Sequence, residues 1–96
     1  MYKLNFTEPF EKNYLKLLRK ERTLIKKVDK VLKHLQENPF YPSLKSHKTD
    51  TRNYGIRWSS WVTGDIRIIW DFDEERILTI ILLDIGKHSG SKKIYK

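Results

Sequence analysis

Ile66-Arg67-Ile68-Ile69-Trp70-Asp71-Phe72, the polar turn 73–76 and the apolar run 77–85 decide the fold. Side chains two apart on a strand share a face. Ile66, Ile68, Trp70 and Phe72 therefore form one side, which must be core, while Arg67, Ile69 and Asp71 take the other. The run 77–85 is apolar at nearly every position, as expected of a central strand covered at least in part on both faces. Upstream, residues 54–62 and the turn Thr63-Gly64-Asp65 complete a three-stranded antiparallel meander. Ile56, Trp58 and Val62 join the core, which sends Arg57, Ser59 and Trp61 to the opposite, open face beside Arg67.

Ahead of the meander, Tyr2-Lys3-Leu4-Asn5-Phe6 alternates as a strand does. Thr7 is placed to cap a helix, with Pro9 in its first turn. Phe10, Tyr14, Leu17, Leu18, Leu24, Ile25, Val28, Leu32 and Leu35 then recur at helical spacing until Asn38-Pro39. An unbroken helix over 8–37 would be about 45 Å long, too long for a compact domain of this size. The pattern therefore predicts a hairpin that turns in the polar stretch Arg19-Lys20-Glu21-Arg22, with Thr23 capping the second helix; the rival is one long amphipathic helix that pairs with a partner. Residues 38–51 read as an exposed loop carrying Lys45, His47 and Lys48. The fold expected is α+β: an N-terminal strand, a helical hairpin and a three-stranded antiparallel meander, with the helices packed on one face of the sheet.

The 96 residues allow a single domain, 1–96, with 39 % apolar and 33 % charged side chains. Without cysteine there is no disulfide framework, thiolate metal site or thiol nucleophile. The start has no apolar signal region, and the longest apolar run falls far short of the ~20 residues that span a bilayer, so a soluble cytoplasmic protein is expected. The net charge is +8 and is uneven. Residues 1–48 hold 12 basic and 5 acidic side chains, residues 49–96 hold 8 and 7, and Lys87, Lys92, Lys93 and Lys96 make the tail cationic. Such a field attracts polyanions or an acidic partner. Arg57, Arg67 and Trp61 on one face suit single-stranded nucleic acid, the guanidinium for phosphate and the indole for a base; the plainer reading is a cation packed on a ring.

Motifs for other chemistry are missing. His34, His47 and His88 match no zinc spacing, Gly86-Lys87-His88 fails as a phosphate loop, and Gly-x-Ser-x-Gly does not occur, so neither metal nor cofactor is expected. His34 reads as a solvated side chain, whereas His47 in the basic loop and His88 past the last strand are placed to handle protons.

The order strand, helical hairpin, meander, with Gly64-Asp65-Ile66-Arg67-Ile68-Ile69-Trp70 and Ile85-Gly86-Lys87-His88 followed by Ile94-Tyr95, resembles the RelE/ParE toxin superfamily over nearly the whole chain. The resemblance implies a toxin of a type II toxin–antitoxin pair, neutralised by an acidic antitoxin. Its RelE-like branch cuts messenger RNA on the ribosome without metal, and its ParE-like branch inhibits DNA gyrase. On the first reading Arg67 matches the strand arginine that stabilises the phosphorane, His88 the residue acting as acid or base, and Tyr95 the near-terminal tyrosine that orients the substrate. Lys45, His47, Lys48, Arg57, Trp61, Lys92 and Lys93 are the accompanying RNA-binding candidates. Three departures stand out. Pro42-Ser43 replace a glutamate base found in some relatives, which leaves His47 or His88 for that role. Trp61 stands where a basic residue is common, with Arg57 as the compensating cation, and Tyr95 follows His88 by seven residues. A gyrase-docking toxin and an inactive binding relative are the alternatives.

Overall fold

A computed structural model of the chain describes residues 1–88 and 94–95. Its elements are β1 (Lys3–Phe6), α1 (Glu8–Lys20), α2 (Leu24–Glu37), a 3-10 turn (Pro42–Leu44), β2 (His47–Thr51), β3 (Gly55–Trp61), β4 (Ile66–Phe72) and β5 (Thr79–Lys87). They form one five-stranded sheet in the order β1-β5-β4-β3-β2, with β1 parallel to β5 and the other neighbours antiparallel. The hairpin is real. The longest dimension, 34 Å, is shorter than an unbroken helix would need. The Thr7 hydroxyl caps α1 by accepting from Phe10 N–H and holds the chain to the sheet by donating to Leu82 O. Thr23 precedes α2 without capping it, since its hydroxyl donates to Glu21 instead.

The core lies where strand parity predicts. Ile66, Ile68 and Trp70 of β4 meet Ile80, Leu82 and Ile85 of β5 beneath Phe10, Leu24, Val28, Val31 and Leu35 of the helices. Ile68 pairs with Ile85 and Trp70 with Leu82, because the register slips between Ile69 and Trp70. That bulge lets two β5 residues three apart both face the core, and it turns Asp84 to the other face beside Ile69. Trp70 brings its one polar atom inward satisfied, its indole N–H donating to Ser60 Oγ at 2.8 Å.

Three expectations are corrected. Residues 47–51 are a strand, not loop: His-Lys-Thr-Asp-Thr has no apolar alternation because β2 is an edge strand that buries only Thr51. Ile56 is 66 % exposed rather than core, since the pairing of β3 with β4 covers only Trp58–Trp61 and stops short of it. Ile77 and Leu78 precede β5 instead of opening it; Leu78 takes a left-handed turn at φ 54° and Ile77 lies in solvent.

Candidate functional site

The face of the sheet turned away from the core is not open. Thr51, Ser59, Arg67, Ile69 and Asp84 all lie on it, and all are buried. Two pieces of chain cover it. From one end the β2–β3 turn folds over so that Tyr54 reaches Asp84, which also accepts from Asn13 Nδ2 of α1 at 2.6 Å. Burial, and then the Asp84 carboxylate to which it is hydrogen-bonded, hold the Tyr54 hydroxyl above its usual pKa of 10.0. From the other end Ile94 and Tyr95 return across the sheet. Ile94 N–H donates to Lys87 O, Ile94 O accepts from Arg52 N–H, and Tyr95 forms an antiparallel bridge with Thr51. Gly86 makes room for this crossing: a Cβ there would stand 2.6 Å from Ile94 Cγ2.

Arg67 is therefore not the exposed cation expected of it. It is on the predicted face, paired with Trp61 and Gly86, but only 4 % exposed. Its Nη1 donates to Thr63 O at 2.7 Å and Gly64 O at 2.9 Å, closing the β3–β4 turn, while its buried Nε has no hydrogen-bond partner. Trp61 lies over it, with the guanidinium carbon 4.2 Å from the ring centroid, and Lys45 Nζ stands 4.1 Å from the same ring. A permanently charged group, fixed by turn carbonyls and shielded by an indole, can set the field of a site without touching solvent.

His88 and Tyr95 come together although they stand seven positions apart: their rings meet edge to face, centroids 4.7 Å apart. The Tyr95 hydroxyl is hydrogen-bonded to the buried Ser59 hydroxyl. Ser59 is on β3 and His88 follows β5, so a ring touching both lies across β4, over the row of Ile69 and Arg67. His88 itself is exposed, anchored through its backbone N–H to Asp65 O at 2.6 Å. His47, exposed on the same face, sets its Nδ1 2.8 Å from Lys45 O. A carbonyl can only accept, so the proton is on Nδ1 and the neutral ring offers Nε2 as a base.

The remaining candidates disperse. Arg57 is engaged, donating to Asp71 at 3.1 Å and to Tyr54 O at 3.0 Å, so it is no free replacement for a cation at Trp61. Lys48 pairs with Trp58 across β2 and β3 and lies over that ring, on the core side of the sheet. Lys92 and Lys93 lie outside the described residues. Asn13, Tyr54 and Asp84 were not legible as a cluster, because they sit on α1, the β2–β3 turn and β5, which only the tertiary fold brings together. Among the described residues no group of histidine and carboxylate side chains is arranged to hold a metal, and no helix is long and apolar enough to cross a membrane.

No family model matches the sequence, and no curated protein matches it as a relative. Solved structures do match. A YoeB/ParE toxin from Agrobacterium tumefaciens aligns with a TM-score of 0.70 and 16 % identity, over 91 % of this chain and 99 % of that one. The YoeB–YefM complex from Staphylococcus aureus gives 0.68 and 17 %, over 93 % and 99 %. The DinJ–YafQ complex from Escherichia coli gives 0.68 and 18 %, over 92 % and 94 %. The fold is thus that of the RelE/ParE-type toxins.

Proposed function

We propose that this chain is the toxin of a toxin–antitoxin pair and cuts messenger RNA on the ribosome, in the cytoplasm, without metal. The contact of His88 with Tyr95, across the row that holds Arg67, carries the reading: an exposed imidazole, a fixed phenol and a buried guanidinium share one small area. Solved structures of the same fold in complex with YefM and DinJ, together with the +8 charge, support an acidic antitoxin as the neutralising partner.

In the proposed reaction a ribose 2′-hydroxyl attacks the adjacent phosphorus. The P–O2′ bond forms, the P–O5′ bond breaks, and the products carry a 2′,3′-cyclic phosphate and a 5′-hydroxyl. One proton must leave O2′ and one must reach O5′. His88 exchanges a proton with one of these oxygens, and His47, through Nε2, is the second imidazole on this face. Tyr95, held by Ser59, orients the ribose or relays the proton. Lys45 is the cation that reaches the phosphate, and Arg67 adds its charge from beneath Trp61, where low dielectric strengthens it.

Primer extension on translated message tests this. His88→Ala should cut cleavage by roughly 10²- to 10⁴-fold, the usual contribution of a general acid or base, and full cleavage by that variant would exclude the role. One observation favours the gyrase-docking reading instead: Arg67 is buried and spends its Nη1 on turn carbonyls. Inhibition of supercoiling by protein that leaves translated message intact would decide for that reading.

A further inference from the structure

Lys45, Trp61 and Arg67 form a stack whose two ends differ. Arg67 reaches the ring from β4, on one flank of β3, and Lys45 reaches it from just ahead of β2, on the other, so the cations take opposite faces of the indole. Arg67 is buried and clamped by carbonyls, whereas Lys45 is exposed and is itself the left-handed residue, φ 48°, that ends the 3-10 turn. One face of Trp61 is thus permanently backed, and the other is covered by an ammonium that can leave.

We infer that Trp61 is a nucleobase platform: a base of single-stranded RNA, a purine by preference, takes the seat that Lys45 Nζ holds on the indole. The choice of RNA rests on the function proposed above; the platform rests on the stack. A stacked base brings its own phosphate, so the displaced ammonium exchanges a ring for an anion. An apolar side chain of a protein partner would displace the same ammonium and give it nothing in return. A duplex keeps its bases stacked on each other and has no free face to offer. The larger π surface of a purine covers more of the indole than a pyrimidine does, which sets the preference. Lys45 O also holds the His47 imidazole at 2.8 Å, so the base is seated next to a proton-handling group.

The test is binding, separated from cleavage by the use of 2′-O-methyl hexanucleotides that cannot be cut. Labelled oligonucleotides carrying adenine, uracil or no base at the central positions are titrated with full-length protein and followed by fluorescence anisotropy. Wild-type protein should bind the adenine oligonucleotide roughly 5- to 150-fold more tightly than the abasic one, the range found when a base–aromatic stack is removed. Trp61→Leu, which keeps apolar bulk without the flat ring, should erase that difference. Trp61→Phe should keep part of it, and either variant serves if the other does not fold. Lys45→Ala should keep the base dependence and reduce the salt slope by about one.

The inference is overturned if wild-type protein binds none of the oligonucleotides or does not distinguish adenine from abasic, or if Trp61→Leu distinguishes them as wild type does. Base-dependent binding by a protein that never cuts translated message would strike the nuclease reading alone. Cleavage by a protein whose Trp61→Leu variant discriminates fully would strike the platform alone.

Discussion

Arg67→Ala separates a buried structural guanidinium from a solvent-facing reagent. If Arg67 served only a phosphate, its loss would remove activity and leave stability unchanged. The structure predicts otherwise. The substitution deletes two charged hydrogen bonds, to Thr63 O at 2.7 Å and Gly64 O at 2.9 Å; the third approach, to Ile66 O at 3.4 Å, is long enough to add little. Hydrogen bonds to a charged group are worth roughly 1.5–3 kcal/mol each, and the orphaned Nε, whose removal is a gain, costs about 1–3 kcal/mol in the native protein. The stack on Trp61 adds ~0.5–2 kcal/mol. Together these give a net loss of about 2.5–5 kcal/mol.

At 4–8 °C per kcal/mol for a domain of this size, a fall in Tm of roughly 10–40 °C follows. Thermal unfolding by circular dichroism and urea titration of the same variant measure it. Arg67→Met, which keeps length and apolar bulk, should recover a minor part, because it refills the space under Trp61 without satisfying the turn carbonyls. A Tm within about 3 °C of wild type for Arg67→Ala would show that the turn does not depend on the guanidinium. The inactivity of the variant could then be read as chemistry.

Other perturbations probe the covered face. Gly86→Val drives a side chain against Ile94 Cγ2, and should cost about 1–3 kcal/mol by overpacking while separating Tyr95 from His88 and Ser59, visible as shifts of the Tyr95 and His88 ring resonances. Ser59→Ala removes the partner of the Tyr95 hydroxyl and should destabilise by roughly 1 kcal/mol in denaturant titration, whereas combined with Tyr95→Phe it should add almost nothing further. Tyr54 has its folded pKa raised above 10.0, so its contribution to stability is fully present below pH 10 and is lost as pH rises through the higher folded value. Wild-type Tm should therefore fall above pH 10, and Tyr54→Phe should fall less steeply there; parallel curves would refute the assignment.

What the sequence revealed and what it hid divide along physical lines. Strand parity on β4 separated Ile66, Ile68 and Trp70 from Arg67 and Ile69 correctly, because that rule needs only the pleat. Chain length against helix rise placed the hairpin turn. Strand β2 escaped because an edge strand with one buried residue carries no alternation, and Ile56 misled because the pairing of β3 with β4 stops at Trp58. The larger error was to equate the face away from the core with solvent. Ile69, fully buried on that face, held the clue, since an isoleucine between an arginine and an aspartate-bearing strand end asks for cover. What covers it, Tyr54 and Ile94-Tyr95, is brought there by tertiary contacts that no local pattern encodes.

That cover changes where chemistry can take place. With Arg67 sealed beneath Trp61 and Arg57 tied to Asp71, the two guanidinium groups that parity exposed are both spent on the fold. Among the described residues, Lys45, His47 and His88 face outward at this end, all exposed, with the Trp61 and Tyr95 rings half-buried between them. A phosphate approaching here meets an ammonium and imidazoles first, and feels the guanidinium only through the indole. Under the proposed nuclease reading, cleavage therefore depends more on the histidines than on the arginine. His88→Ala should then cut cleavage by roughly 10²- to 10⁴-fold with a fall in Tm of only a few degrees, because His88 is exposed, its backbone anchor, N–H to Asp65 O, survives the substitution, and only the ring contact with Tyr95 is lost. An Arg67→Met protein that is folded at the assay temperature should keep a measurable fraction of cleavage. The reverse ranking, measured on folded protein in the same primer-extension assay, would return the arginine to the phosphate and require Trp61 to swing aside.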